Sequence, residues 1–154
     1  MRIVTTMRGL PIGGSIITAL ELVAAMRDEG HDVTVVAGEG PAAGLADELG
    51  IPTLTSAGGL GRFAATLWRS LRADRPDVIH AWDWQAIAAT HLVASVGAGL
   101  PMIGSITAID PTPYLPDGVP VGIVSEIMRR RDPRPSSPNF CQNMPINTGT
   151  DRPG

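Results

Sequence analysis

The feature that most limits the fold of this chain is an alternation. Short apolar runs rich in β-branched residues trade places with longer helical segments, and glycine or proline marks most boundaries. RIVTTM (Arg2–Met7) reads as a first strand. Gly14 opens a helix that runs to about Glu29, with Ser15 expected at the N-cap. Ile16, Leu20, Val23 and Ala24, with Ile17 beside them, form its apolar stripe, and Gly30 ends it. HDVTVVA (His31–Ala37) is a second strand, Ala42–Leu49 a short helix closed by Gly50, and IPTLTSA (Ile51–Ala57) a third strand. Gly61–Asp74 is a helix with Phe63, Leu67, Trp68 and Leu71 on its buried side, stopped by Pro76. DVIHAWD (Asp77–Asp83) is strand four, Gln85–Val96 an alanine-rich helix, PMIGSIT strand five and PVGIVS strand six, followed by a helical turn, EIMRRR.

This rhythm predicts an α/β fold: a Rossmann-like, doubly wound, mostly parallel sheet with helices on both faces. The strands are near-continuous apolar runs, as strands covered on both faces must be. A chain of 154 residues suffices for one domain with a substantial core. That domain is expected over residues 1–131. From Asp132 the texture changes. Five prolines (133, 135, 138, 145 and 153) and little apolar periodicity make residues 132–154 a linker or tail.

Composition removes several function classes. Hydrophobic residues make up 44% of the chain and charged ones 18%, as in a soluble globular protein. The net charge of −3 argues against a broad nucleic-acid footprint. All 12 basic residues are arginine, so a lysine nucleophile or Schiff base is excluded. Cys141 is the single cysteine, which excludes an internal disulfide and a multi-cysteine zinc site. A reducing, cytoplasmic location is expected. The first apolar run is too short for a signal peptide and ends at Arg8. The long apolar region Ile87–Ile106 contains Thr90, His91, Ser95, Gly97, Gly99 and Pro101, so it reads as helix, turn and strand rather than a membrane span. The arginine triplet 129–131 leaves two readings, a weak contact with an anionic membrane surface or a solvated helix end.

Three segments carry candidate chemistry. RGLPIGGS lies where the first strand hands over to a helix, the edge at which open α/β sheets bind ligands. Gly13 and Gly14 would let a phosphate or diphosphate reach free helix N–H groups, or they simply make a turn. The spacing of Gly9, Gly13 and Gly14 does not fit the dinucleotide fingerprint, and GEGPAAG after strand two misses it too and reads as a loop. IHAWDWQA places His80 and Asp83 at the end of strand four, with Trp82 and Trp84 around the carboxylate. Indole faces beside a carboxylate suit a sugar or polyol; the alternative is a core histidine with packing tryptophans. In SITAIDPTPY, Asp110 is a candidate base or acceptor-binding residue, or a turn residue before Pro111. His91, inside a helix, reads as structural.

GGS at the first helix, LVAAMRDEGHDVTVVAG, LRADRPDVIHAWDWQA and VGIVSEIMRRR together resemble the N-terminal domain of GT-B-fold, family 4-like glycosyltransferases, over most of residues 1–131. The blocks GHDVTVV and RPDVIHAWD, in that order, are the specific part. The resemblance implies two Rossmann-like domains facing across a cleft, the N-terminal one for the acceptor and the other for a nucleotide-sugar. It implies that Gly13 and Gly14 contact the donor diphosphate or the transferring sugar, and that neither a metal nor a cofactor is used. The family often carries a histidine just after strand five, where Thr107 stands here. The closing INTGTDRPG is similar to the stretch leading towards the second domain, and no donor domain precedes Gly154. The expectation is an acceptor-binding half of a glycosyltransferase, completed by a donor-binding domain in a longer product or a partner chain. Its binding residues would be His80, Trp82 and Asp83 for acceptor, with Asp110 as the catalytic candidate. The alternatives are a non-catalytic glycosyltransferase-like binding or regulatory module, and an unrelated nucleotide-binding α/β domain.

Overall fold

The computed structural model describes residues 1–97, 99–106, 116 and 119–123. Within them the chain runs β1 (Arg2–Met7), α1 (Gly14–Asp28), β2 (Asp32–Gly38), α2 (Ala43–Glu48), β3 (Thr53–Ser56), α3 (Leu60–Ala73), β4 (Val78–Trp82), α4 (Trp84–Gly97), β5 (Met102–Ile106) and β6 (Val121–Ile123). The strands form one six-stranded sheet in the order β3-β2-β1-β4-β5-β6. Every pairing is parallel. This is the Rossmann-like doubly wound arrangement that the alternation predicts.

The central strands β1, β2 and β4 bury both sides, so their residues divide between two cores by their period of two. Ile3 and Met7 join Val33, Val35 and Ala37 in the core under α1 and α2, with Ile16, Ala19, Leu20, Val23 and Ala46. Val4, Val36, Ile79 and Ala81 join Phe63, Leu67 and Leu71 of α3 and Ile87, Ala89 and Val93 of α4. Leu20, Phe63, Leu67 and Ile87 are fully buried. Each such side chain stabilises the fold by about 1.5–3 kcal/mol relative to exposure. The α3 stripe expected from spacing is in place, with Trp68 partly buried at its margin.

Two local expectations are corrected. Ser15 does not cap α1. The carbonyl of Gly13 already accepts from Ile16 (3.1 Å) and Ile17 (3.0 Å), so Gly13 occupies the N-cap and no side chain caps the helix. Ile17 is exposed rather than beside the stripe, and Ala19 takes the buried position, because the covered face turns towards β1 and β2. The helical turn expected at EIMRRR, Thr107, Asp110, the arginine triplet, Cys141 and the proline-rich segment lie outside the described residues.

Candidate functional site

The strand order reverses between β1 and β4: β2 and β3 lie on one side, β5 and β6 on the other. The chain leaving β1 enters α1 over one face, and the chain leaving β4 enters α4 over the other. The two helices therefore diverge above neighbouring strand ends, which is where a doubly wound sheet opens a ligand crevice. The β1–α1 loop carries Gly13 and Gly14 to this point, and β4, with His80 and Trp82, leads to Asp83 just beyond its end.

Gly13 is in extended backbone at φ −175°, a conformation any residue adopts. Methyl groups added at Gly13 or Gly14 would meet no atom of the described residues within 4 Å. Neither backbone geometry nor packing among the described residues thus demands glycine at these two positions. The carbonyl of Gly13 accepts from the Ile16 and Ile17 amides and starts the helix, which leaves the Gly14 and Ser15 amides without an intrahelical acceptor. Ile12, just before them, is 75% exposed.

On β4 the three singled-out residues differ sharply. His80 and Trp82 point to the α1 side and are only 5% and 4% exposed. Their rings meet edge to face at 5.3 Å between centroids. His80 Nε2 is 2.8 Å from Ser105 Oγ on β5. Burial lowers the His80 pKa to about 4, so the ring is neutral at physiological pH. The Trp82 indole N–H, together with the Thr5 and Ser56 hydroxyls, is buried and has no hydrogen-bond partner among the described residues. Thr5 is the β1 residue directly beside His80 in the sheet.

Asp83 ends the strand and caps the next helix. Its Oδ1 accepts from the Ala86 N–H at 2.9 Å, and its carbonyl accepts from Ile87 at 2.9 Å. Its own N–H donates to the Ser105 carbonyl at 2.9 Å. Its φ of +75° makes it the one non-glycine residue in the left-handed region among the described residues. Such a conformation costs about 1–3 kcal/mol and is kept where the surroundings over-determine it. Burial raises the carboxyl pKa; the N–H groups of Ala86, Arg8 and Gln85 and the charge of Arg8 pull the other way. Arg8 thus joins β1 to β4 at the crevice.

The structure therefore brings together Gly13, Gly14 and Asp83 at one edge and sets His80 and Trp82 behind it in the core. Thr5, Arg8 and Ser105 belong to the same neighbourhood and escape sequence reading. Ser105 stands at the head of the segment that carries Asp110, but only the parallel register of β4 and β5 shows that it reaches His80. Among the described residues no group of three His, Cys, Asp or Glu side chains is placed to hold a metal ion. No helix is long and apolar enough to cross a membrane among those residues.

Solved structures share this architecture. MurG from Acinetobacter baumannii superposes with a TM-score of 0.55 at 12% identity, over 79% of this chain and 45% of that one. The UDP-GlcNAc 2-epimerase from Methanocaldococcus jannaschii superposes with a TM-score of 0.50 at 19% identity, over 68% of this chain and 31% of that one. The chain spans less than half the length of either structure. At these identities the likeness shows the fold alone. No curated protein matches the chain. Residues 13–134 match the glycosyl transferase 4-like domain family, from the first glycine of the α1 N-terminus through all the later described elements. With that match over most of its length, and with a doubly wound sheet like those of its GT-B neighbours, the chain belongs to the glycosyl transferase 4-like domain family.

Proposed function

We propose that this glycosyltransferase-type domain works as the acceptor side of a sugar-transfer enzyme. The N-terminus of α1 receives the diphosphate of a nucleotide-sugar, and a sugar or polyol acceptor lies along the carboxyl edge beside Asp83. His80 and Trp82 form the wall behind that carboxylate. Asp110, which follows β5, is the proposed catalytic carboxylate. Residues 1–131 are the proposed domain and residues 132–154 the segment that leads away from it. The single observation that supports the reading is the pair Gly13–Gly14. Among the described residues glycine is needed there neither for φ nor for packing, and it leaves open space beside the Gly14 and Ser15 amides, which have no intrahelical acceptor. A diphosphate uses both: backbone close approach and N–H donors at a positive helix end.

Transfer needs donor and acceptor held together, so the domain requires a donor-binding domain to complete the site. Release of sugar from UDP-N-acetylglucosamine to a panel of sugars and polyols is to be assayed with this chain alone, with a GT-B donor-binding domain alone, and with both. One neighbour is named for that nucleotide-sugar. The expected result is product only in the mixture, lost with Gly13→Trp while the chain stays folded. No product from any pairing, or product unchanged by Gly13→Trp, contradicts the proposal.

A second reading, a non-catalytic binding or regulatory module, has one observation in its favour. The Asp83 carboxyl is already taken by backbone N–H groups, and His80 and Trp82 are buried. Sugar binding by the chain, detected by calorimetry, without transfer under any pairing would select that reading.

A further inference from the structure

Two other glycines behave in the opposite way to Gly13 and Gly14. A methyl group at Gly38, the last residue of β2, would overlap the carbonyl oxygen of Arg8. One at Gly40 would overlap the carbonyl of Leu10 and lie 2.9 Å from its Cα. The obstructing atoms are backbone, which cannot swing aside as a flexible side chain does. Just past these two contacts the loops are also bonded: the Ala42 N–H donates to the Leu10 carbonyl at 2.9 Å. The Leu10 side chain is fully buried in the same core as Ala42 and Ala46. On the opposite flank, the Arg8 N–H faces the Asp83 carboxyl. The first half of the β1–α1 loop is therefore gripped from both neighbouring strands, whereas Pro11, Ile12 and Gly14 are exposed.

We infer that Gly38 and Gly40 are positioning residues for the phosphate-receiving end of α1. They touch no ligand. They admit the Arg8–Leu10 backbone to contact distance, which fixes where the loop ends and so where the Gly13–Gly14 amides sit. A helix N-terminus binds a diphosphate only if its N–H groups converge on it, and an ångström of displacement undoes that geometry. This inference rests on the proposed diphosphate role of Gly13–Gly14. The loop geometry it claims can be read with no ligand present.

The test compares Gly40→Ala and Gly38→Ala with Gly44→Ala, a control at an α2 position where an added methyl meets nothing. Amide signals of residues 8–15 are recorded for each full chain by nitrogen-15 correlation spectroscopy, and inorganic pyrophosphate is then titrated in. The expected result is that Gly40→Ala and Gly38→Ala move the Gly13 and Gly14 signals while most sheet signals stay in place. Pyrophosphate affinity then falls about tenfold or more, a loss of roughly 1.4 kcal/mol. Gly44→Ala changes neither. Unmoved Gly13 and Gly14 signals in the two variants overturn the inference. Moved signals in a protein whose wild type ignores pyrophosphate uphold the positioning and sink the diphosphate role instead. If neither variant folds, hydrogen exchange of the wild type decides. Slow exchange of the Ala42 amide, matching the sheet core, supports a fixed brace, and exchange at the rate of an open loop refutes it.

Discussion

The two edges of the sheet are built on different terms. At the amino edge Arg2 gathers complementary partners. Arg2 pairs with Asp32 at 3.6 Å and with Asp74, its N–H donates to Asp77 at 2.7 Å, and the Asp77 N–H returns a bond to the Arg2 carbonyl. Where helices α1 and α2 turn back into strands, the left-handed positions are Gly30 and Gly50, at φ +88° and +63°. Towards the carboxyl edge an aspartate occupies the left-handed region, and behind it a histidine is buried in neutral form beside indole and hydroxyl groups that have no partners among the described residues. The helix there starts at a glycine with no side-chain cap. One edge is arranged for stability. The other holds strain and orphaned polar groups, which is the usual mark of a place where something else binds.

The contrast makes specific demands on pH and on mutants. The largest expected effect comes from His80. Its folded pKa, about 4, lies below the ordinary 6.5, so the unfolded chain takes up the proton first. The stability it lends is complete above pH 6.5 and drains away as the pH falls towards 4, by at most about 3 kcal/mol. Asp83, with its raised pKa, acts in the opposite sense at the acid end, so the comparison belongs between pH 7 and 5. Urea unfolding across that range should show the loss, and His80→Gln should flatten it. Next, Asp83→Ala removes a helix cap and puts alanine at positive φ, for about 2 kcal/mol of destabilisation. Asp83→Asn keeps cap and conformation and should stay within about 0.5 kcal/mol. Equal losses in the two variants would show that cap and φ are not what Asp83 supplies.

A smaller effect separates paired from orphaned hydroxyls. Thr6 and Thr90 share a buried hydrogen bond of 2.8 Å. Thr90→Val strands the Thr6 hydroxyl and should cost about 1–2 kcal/mol. Thr5→Val deletes a hydroxyl that has no partner among the described residues, and thermal unfolding should find it neutral or stabilised. If Thr5→Val is instead the worse of the two, the Thr5 hydroxyl is bonded and the carboxyl edge is less bare than described. The smallest effect belongs to the amino edge. The Arg2 side chain is 46% exposed, so its ion pairs are screened, and Arg2→Ala should cost about 0.5 kcal/mol, less in high salt.

Much of the fold could be read from the chain because local signals agree with it. The six strands, their helices and the glycines after α1 and α2 follow from period and punctuation, with ends off by a residue or two. The α1 cap could not be read that way. Ser15 has the right chemistry, but the first helical bonds already close on Gly13. The site was legible as an edge rather than as an arrangement. RGLPIGG and HAWDW stand at strand ends, yet the alternation alone could not say that the tryptophan and histidine face inward while the aspartate caps a helix. The Thr6–Thr90 pair spans 84 positions, and the grip of Gly38 and Gly40 on the preceding loop exists only because β1 and β2 are neighbours. Contacts made by topology leave no local trace.

Under the proposed function, ligand is expected at the strained edge and not at the opposite one. The amino edge offers a fair competitor, a hollow of about 180 Å³ lined by Trp68, Leu71, Arg72, Arg75, Val93 and Leu100. Titrating UDP-N-acetylglucosamine into nitrogen-15-labelled protein and mapping the amide shifts tests the claim most directly. Shifts concentrated at Gly13, Gly14, Ser15 and Asp83 are the expected result. Shifts centred on Arg72 and Arg75, or none at saturating nucleotide-sugar, would contradict it.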